Sequence, residues 1–298
     1  MSTPRSLALP TGTRAYALVT PRGPFAVLDA RPTAAQVGTA LLVPGYTGSK
    51  EDFLALLEPL TRAGYRAVAV DGRGQHESPG PRRTRGYTPR TLAEDVLAQT
   101  AALGDGPVHL VGHSFGGLVA RSAARLAPDS FRSLTLLASG PGHVGPEQRA
   151  KIRLLRAALP VLPPAAVWAV TRWLDSRDPA HVPDEPDIAA FLQQRWYNTR
   201  PAQLIATGRQ LRTEPDRTKG LAALPLPLHV AYGDEESVWT VTELAALAHD
   251  TGARHTVIRG AGHSPNVSHP EQLATALTEF WLEAATSRTP AQDVRGAH

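Results

Sequence analysis

The residues Gly112-His113-Ser114-Phe115-Gly116-Gly117 join an apolar run at 107–111 to a helix-like run at 118–126. Strand, Gly-x-Ser-x-Gly and helix in this order are the context of a nucleophile elbow, a strained turn that exposes its serine hydroxyl. The glycines permit backbone approaches at which a Cβ would clash. The helix that follows directs free N–H groups toward whatever binds at the serine. Ser114 is therefore the first candidate for a catalytic residue.

Short apolar runs alternate with helix-like segments through the first half of the chain. Strands that are apolar on both faces, separated by helices, predict an α/β fold with a mostly parallel central sheet flanked by helices. The predicted buried strands are 39–43, 67–70, 107–111 and 134–138, and the predicted helices are 50–62 and 90–103. Two earlier β-like runs, 14–19 and 25–28, are expected to form an antiparallel edge.

The alternation stops after Gly140. From 141 to 223 the pattern is helical and rich in Arg, Pro and Trp, with no evident strand. The α/β pattern then resumes with a strand at 226–232, a helix at 241–249, a strand at 255–258 and a helix at 270–285. We therefore divide the chain into a first core segment (1–140), a helical insertion (141–223), a second core segment (224–285) and a polar tail (286–298) that is expected to be disordered.

These features together resemble the α/β-hydrolase superfamily. The resemblance rests on the elbow at Ser114, on the order of the elements, and on the turn Asp71-Gly72-Arg73-Gly74-Gln75-His76-Glu77-Ser78. That turn is similar to the family's Asp-x-Arg-Gly-x-Gly-x-Ser turn, with His76 in place of the second glycine. The resemblance covers nearly the whole chain except the tail. It implies that the helical insertion is a cap and that the turn has a structural role.

A serine hydroxyl is a weak nucleophile and needs an adjacent base. His263 is the best candidate, because it lies in the glycine-rich loop Gly260-Ala261-Gly262-His263-Ser264-Pro265, after a strand and just before the last helix. The resemblance places the family's histidine there. His113 precedes the nucleophile in a way that is typical of the family, and we expect it to point away from Ser114 and to serve packing.

The third member of the site is an acid that orients and charge-stabilises the histidine. The family order is Ser, acid, His, and the stretch Tyr232-Gly233-Asp234-Glu235-Glu236 fits it. Relatives carry an aspartate three residues after the glycine, where this chain has Glu236. We favour Glu236, whose longer side chain must fold back to reach the histidine, and keep Asp234 as the alternative acid. The loop after the sixth strand, 138–142, has no acid.

The developing oxyanion needs two aimed donors. The backbone N–H of Phe115, directly after the nucleophile, is the first candidate. By resemblance to the family's His-Gly-x motif, the N–H of Tyr46 is the second, in the loop Pro44-Gly45-Tyr46-Thr47-Gly48, where Pro44 replaces the customary histidine.

Residues of the helical insertion are candidates for substrate binding. Trp168, Trp173 and Phe191 could line an apolar pocket under the cap, although each could equally belong to the core of the cap. His143 is a further candidate, because it opens the insertion near the carboxyl edge of the sheet.

Composition narrows the functional classes. The chain has 298 residues, a formal charge of +4 and no cysteine, which removes disulfides and thiol catalysis. No apolar run approaches the roughly 18 residues of a membrane span, and the N-terminus has no convincing signal peptide, so a cytoplasmic location is the default. The basic residues form no stripe with stacking aromatics, so no nucleic-acid partner is expected. The sequence has no motif for a metal site or a dinucleotide, and we expect no cofactor.

Three hypotheses about function follow. The first is a serine hydrolase that cleaves a carboxylic ester or lactone of a small apolar molecule through an acyl-enzyme intermediate. The second is the same catalytic triad acting on a C–C, thioester or amide bond, or in cofactor-free perhydrolysis. The third is a non-catalytic binding protein that retains the fold, which the departure at Glu236 would favour.

Overall fold

The computed structural model describes residues 2–177 and 182–286, in which eight strands form a single sheet covered by helices on both faces. The strands are β1 (Thr13–Thr20), β2 (Gly23–Ala30), β3 (Gly38–Val43), β4 (Tyr65–Val70), β5 (Val108–His113), β6 (Phe131–Leu137), β7 (Leu228–Gly233) and β8 (Arg254–Ile258). Their spatial order is β1-β2-β4-β3-β5-β6-β7-β8. Only β2 runs against its neighbours, so the sheet is mostly parallel, as predicted.

The helices of the described residues divide between the core and the insertion. Those of the core are α1 (Leu54–Arg62), α2 (Pro89–Leu103), α3 (Phe115–Leu126), α9 (Val241–Thr251), α10 (Pro265–Ser268) and α11 (Pro270–Thr286). Those of the insertion are α4 (Pro146–Ala158), α5 (Pro164–Asp175), α6 (Pro186–Asn198), α7 (Pro201–Thr213) and α8 (Thr218–Ala222). The predicted disordered tail, 286–298, lies outside the described residues except for Thr286, which ends α11.

The predicted helix at 50–62 differs in its first turn. Residues Lys50–Phe53 form a 3-10 turn, in which Asp52 N donates to Ser49 O at 3.1 Å, and the α-helix begins only at Leu54. The tight turn keeps Lys50 N directed at Asp71 Oδ1, at 2.8 Å. The start of α1 at Leu54 is therefore associated with the contact between Lys50 and Asp71. The local sequence pattern contains no information about this contact, because Asp71 lies on another loop.

The core is split into two layers by the sheet. On β3, Leu41 packs into the layer that contains α2, α3 and α9, whereas Leu42 packs into the layer that contains α1 and α11. Strand side chains point alternately to the two faces, so a strand that is covered on both must be apolar throughout. This is why the central strands could be predicted from continuous apolar runs in the sequence.

The sheet's carboxyl edge collects the loops that carry the candidate site. The loops after the parallel strands β3, β5, β7 and β8 contain Tyr46, Ser114, Glu236 and His263, respectively. In open parallel sheets, ligands bind at this edge. The fold therefore brings together residues that are up to 217 positions apart, from Tyr46 to His263.

The helical insertion rests on this same edge. Tyr46 Oη donates to Leu204 O at 2.8 Å, and Gln210 Nε2 donates to Tyr87 O at 2.6 Å. Leu204 and Gln210 both belong to α7, so this helix contacts loops at the carboxyl edge of the sheet. Within residues 2–177 and 182–286, no helix has the length and hydropathy that a membrane crossing requires.

His229 on β7 gives a testable pH dependence of stability. It is fully buried and shares a hydrogen bond of 2.9 Å with Thr256 Oγ1. Burial, with the neighbouring charges of Arg254 and His255, lowers its pKa to about 3. Its contribution to the free energy of unfolding is complete above its unfolded pKa of 6.5 and is lost as the pH falls from there toward 3.

We expect His229→Gln, which cannot titrate, to be less sensitive to acid than the wild type. Between about pH 7 and about pH 5, the wild type should lose ~2 kcal/mol more unfolding free energy than the variant, measured by urea denaturation. Other titrating groups contribute equally to both proteins and cancel in the difference. A difference between the two proteins that stays constant across this pH range would contradict the expectation.

Candidate active site

Ser114 occupies a strained turn between β5 and α3. Its φ of 54° and ψ of −119° lie outside the regions that non-glycine residues prefer. The turn is held because Ser114 N donates to Leu137 O at 2.9 Å and Gly117 N donates to Ser114 O at 2.9 Å. Strain that is maintained by surrounding contacts is typical of a functional site, and this geometry is that of a nucleophile elbow.

The glycines of the elbow are required by close approaches. A Cβ on Gly116 would lie 2.2 Å from Val43 O, and one on Gly112 would lie 2.4 Å from Gly116 O. Both contacts involve backbone atoms that cannot move aside. The Gly-x-Ser-x-Gly pattern therefore reflects how tightly α3 packs against β5 and against the end of β3.

His263 and Glu236 complete a chain of hydrogen bonds that begins at Ser114. His263 Nε2 lies 3.0 Å from Ser114 Oγ, and His263 Nδ1 lies 2.8 Å from Glu236 Oε2 and 2.9 Å from Glu236 Oε1. A carboxylate can only accept, so Nδ1 carries the proton and Nε2 is free to accept from the serine hydroxyl. The arrangement can therefore perform general-base activation of the serine.

Glu236 reaches His263 because its side chain folds back over its own loop. Its Oε1 accepts from Ser237 N at 2.8 Å and from Val238 N at 2.6 Å, and the side chain is fully buried. These two backbone donors fix the carboxylate and compensate its burial. The structure thus places the favoured acid in contact with the histidine.

Asp234, the alternative acid, points elsewhere. It is exposed, and its Oδ1 accepts from Gly260 N at 2.7 Å. That contact joins the loop after β7 to the loop after β8, which carries His263. Within the described residues it shares no hydrogen bond with His263.

His113 and Trp239 support the loop of His263. His113 Nε2 donates to the backbone O of His263 at 2.8 Å, and burial lowers the pKa of His113 to about 3, so the ring is neutral. Trp239 packs with its ring centroid 6.3 Å from that of His263 and donates from Nε1 to Gly142 O at 3.2 Å. Trp239 could not be assigned from the sequence, because its contact with His263 depends on how the loops after β7 and β8 fold together.

Tyr46 and Phe115 bring two backbone amides to the nucleophile. The loop of Tyr46 lies beside Ser114, because an ideal Cβ built on Gly45 would lie 3.3 Å from Ser114 Cβ. Phe115 is the first residue of α3, whose initial N–H groups have no acceptor within the helix. In the described part of the chain, neither the Tyr46 nor the Phe115 amide has a hydrogen-bond acceptor. Both donors are therefore available to an oxyanion.

The aromatic residues proposed for substrate binding lie at three different places in the insertion. Trp168 is buried against Trp196, with ring centroids 6.1 Å apart, in the core of the helical block. Trp173 is 52% exposed and lies under the guanidinium of Arg177. Phe191 packs edge-on against His76.

His143, the fourth residue proposed for substrate binding, is exposed, and its Nδ1 lies 3.3 Å from Val144 O. In the part of the chain that the structure describes, none of the four shares a hydrogen bond or ring contact with Ser114 or His263. Within the described residues, the insertion meets the loops of the site at other residues, including Leu204, whose O accepts from Tyr46 Oη, and Gly142, whose O accepts from Trp239 Nε1.

One group of potential metal ligands occurs among residues 2–177 and 182–286: Glu51, His76 and Glu77. The ammonium of Lys50 already lies between the two glutamates, 2.7 Å from Glu51 Oε1 and 2.8 Å from Glu77 Oε2. Lys50 also donates to the fully buried Asp71 at 3.1 Å. A protein cation therefore already lies between these carboxylates.

Comparison with known proteins agrees with the geometry. A sequence model of the alpha/beta hydrolase family matches residues 40–276. The chain is 31% identical over 212 residues to the pimeloyl-acyl-carrier-protein methyl ester esterase of Sodalis glossinidius, covering 68% of this chain and 80% of that protein. It is 28% identical over 228 residues to the esterase of the same name from Aeromonas hydrophila, covering 74% and 87% of the two chains.

Two solved structures share the fold. A hydrolase from Pseudomonas aeruginosa has a TM-score of 0.71 at 25% identity and covers 90% of this chain and 98% of its own. A thermophilic esterase from Thermogutta terrifontis has a TM-score of 0.73 at 23% identity and covers 91% and 99%.

Proposed function

The chain belongs to the alpha/beta hydrolase family, and we propose that it is a serine hydrolase that cleaves a carboxylic ester or lactone of a small apolar substrate. The observation that carries this proposal is the continuous hydrogen-bonded chain from Glu236 through His263 to Ser114. A binding protein has no need of a serine in a strained turn within 3.0 Å of an oriented imidazole. The strained backbone at Ser114 is therefore best explained by catalysis.

The proposed reaction is a two-step acyl transfer. Ser114 Oγ attacks the ester carbonyl while His263 Nε2 takes the hydroxyl proton, and the N–H groups of Phe115 and Tyr46 bind the oxyanion. The tetrahedral intermediate collapses as His263 returns the proton to the leaving alcohol, which leaves an acyl-Ser114 ester. Water, deprotonated by His263, then repeats the sequence and releases the acid. Glu236 holds the imidazole in the required tautomer throughout.

One feature supports an ester as the scissile bond, and a second supports the insertion as the part that selects substrates. The names of the compared esterases describe cleavage of esters, including a methyl ester. The block 141–223 is proposed to be a cap, because α7 contacts the loops after β3 and β4 at the edge where Ser114 lies. Its helices would then determine which acyl chains reach the serine.

We expect the protein to hydrolyse nitrophenyl esters and to be labelled by a serine-directed fluorophosphonate. An ester series from acetate to a long acyl chain would measure the depth of the acyl pocket through its preferred length. Intact-protein mass spectrometry with peptide mapping should place one label on Ser114.

A second serine, on the helix that follows Ser114 directly, provides the control. Ser122 lies on α3 and donates to Leu118 O, away from the elbow. Ser122→Ala should be labelled and active like the wild type, whereas Ser114→Ala should be neither. Labelling without hydrolysis of any ester would point to an amide, thioester or C–C bond instead. An unlabelled Ser114 would overturn the catalytic proposal in favour of binding alone.

A further inference from the structure

We propose that Gln75 is a positioning residue for the oxyanion site, acting through the peptide bond between Gly45 and Tyr46. The inference rests on the proposed function, in which the Tyr46 amide receives the oxyanion. The family resemblance gave the turn of Gln75 only a structural role. The contacts of its side chain point to a more specific one.

Gln75 joins its own turn to the loop of Tyr46. Its side chain is buried, with 4% of the residue exposed. Nε2 donates to Gly45 O at 2.7 Å, and Oε1 accepts from Gly72 N at 2.9 Å. The two contacts together fix which end of the amide faces Gly45. Only the amide nitrogen can donate to Gly45 O, and only the amide oxygen can accept from Gly72 N.

The geometry of the peptide bond transmits this contact to the Tyr46 amide. The protein has no cis peptide bond in its described residues, so the carbonyl of Gly45 and the N–H of Tyr46 point in opposite directions within one rigid plane. Fixing the carbonyl therefore fixes the direction of the N–H. Gly48 N also donates to Gly45 O, at 3.3 Å, so two donors hold that plane from one side.

The same contact makes the Tyr46 amide a better donor. Hydrogen bonds in a chain polarise one another, so a donor on the Gly45 carbonyl increases the positive charge on the N–H of that peptide. Preorganised donors contribute to catalysis because they need no reorganisation as charge develops. Gly45 also lies close to the nucleophile, since an ideal Cβ built on it would lie 3.3 Å from Ser114 Cβ.

The test replaces the donor and keeps the shape. Gln75→Glu preserves the acceptor for Gly72 N and sets a carboxylate oxygen against Gly45 O, while Gln75→Met removes both polar ends. We expect either change to lower kcat about 10- to 100-fold, below the cost of deleting an oxyanion donor outright, with KM altered less than about threefold. A loss confined to KM, or no loss, would contradict the proposal.

Gln99→Leu is the matched control, since Gln99 is 1% exposed and lines the same small cavity as Gln75. Among the described residues, Gln99 shares no hydrogen bond with the loop of Tyr46. If the effect of Gln75 is only structural, both substitutions should lower the melting temperature and kcat in parallel. We expect a melting-temperature loss in both and a kcat loss for Gln75 alone.

A second readout is independent of turnover. The ¹⁵N–¹H resonance of the Tyr46 amide should shift in Gln75→Glu and Gln75→Met and stay in place in Gln99→Leu. An unmoved resonance in both Gln75 variants would overturn the inference even in an active enzyme. Conversely, a wild type that is inert to esters and fluorophosphonate would refute the proposed function while leaving the positioning contact measurable.

Discussion

Replacing Ser114 by alanine is expected to lower kcat on the preferred nitrophenyl ester by roughly 10⁴-fold or more. The reason is that Ser114 Oγ is the atom that His263 Nε2 faces at 3.0 Å, and no covalent intermediate can form without it. Any residual rate should come from the oxyanion donors and from substrate binding alone. Steady-state kinetics on the wild type and the variant, at matched pH and protein concentration, would measure the loss.

His263→Ala should cost about as much, because residues that act as a unit have strongly non-additive effects. The double variant Ser114→Ala/His263→Ala should therefore be hardly slower than either single one. Ser122→Ala, on the same helix as the elbow, should retain full activity. Independent losses that multiply in the double variant would mean that the two residues do not share one catalytic step.

The fold was largely predictable because its signals are local. Each predicted strand overlaps an observed one, since strands buried on both faces, such as β3 and β4, must be apolar at every position. The helices of the insertion were predicted as a block, but their orientation was not. Whether Trp168 faces a pocket or a core depends on its contact with Trp196, twenty-eight positions away, which no local pattern encodes.

In the candidate site, too, the residues in local motifs were predictable and those that depend on distant contacts were not. Ser114 and His263 stand in motifs whose surroundings are informative in themselves, and the structure brings them into contact. The choice between Glu236 and Asp234 needed the conformation of the loop after β7, which their spacing does not determine. Gln75 could not be singled out at all, because its partner, Gly45, lies thirty positions earlier on another loop. The catalytic roles themselves remain predictions until kinetics test them.

Glu236→Gln is expected to lower kcat by about 10³- to 10⁴-fold, whereas Asp234→Asn should change it less than about threefold. Glu236 Oε1 accepts from two backbone amides, Ser237 N and Val238 N. The oxygen of a glutamine would keep those donors, which places its NH₂ group where Oε2 now lies, 2.8 Å from His263 Nδ1.

The retained oxygen would stay 2.9 Å from Nδ1, but the closer acceptor would be replaced by a donor. This weakens the preference for the tautomer that leaves Nε2 free to accept from Ser114. The substitution also removes the negative charge that stabilises the imidazolium. Asp234→Asn keeps an oxygen for Gly260 N and leaves the imidazole untouched. Because glutamine is nearly isosteric with glutamate, both variants should fold, which thermal melting would check. If Asp234→Asn proves the more damaging of the two, the assignment of Glu236 as the acid is wrong, and the loop after β7 must rearrange when substrate binds.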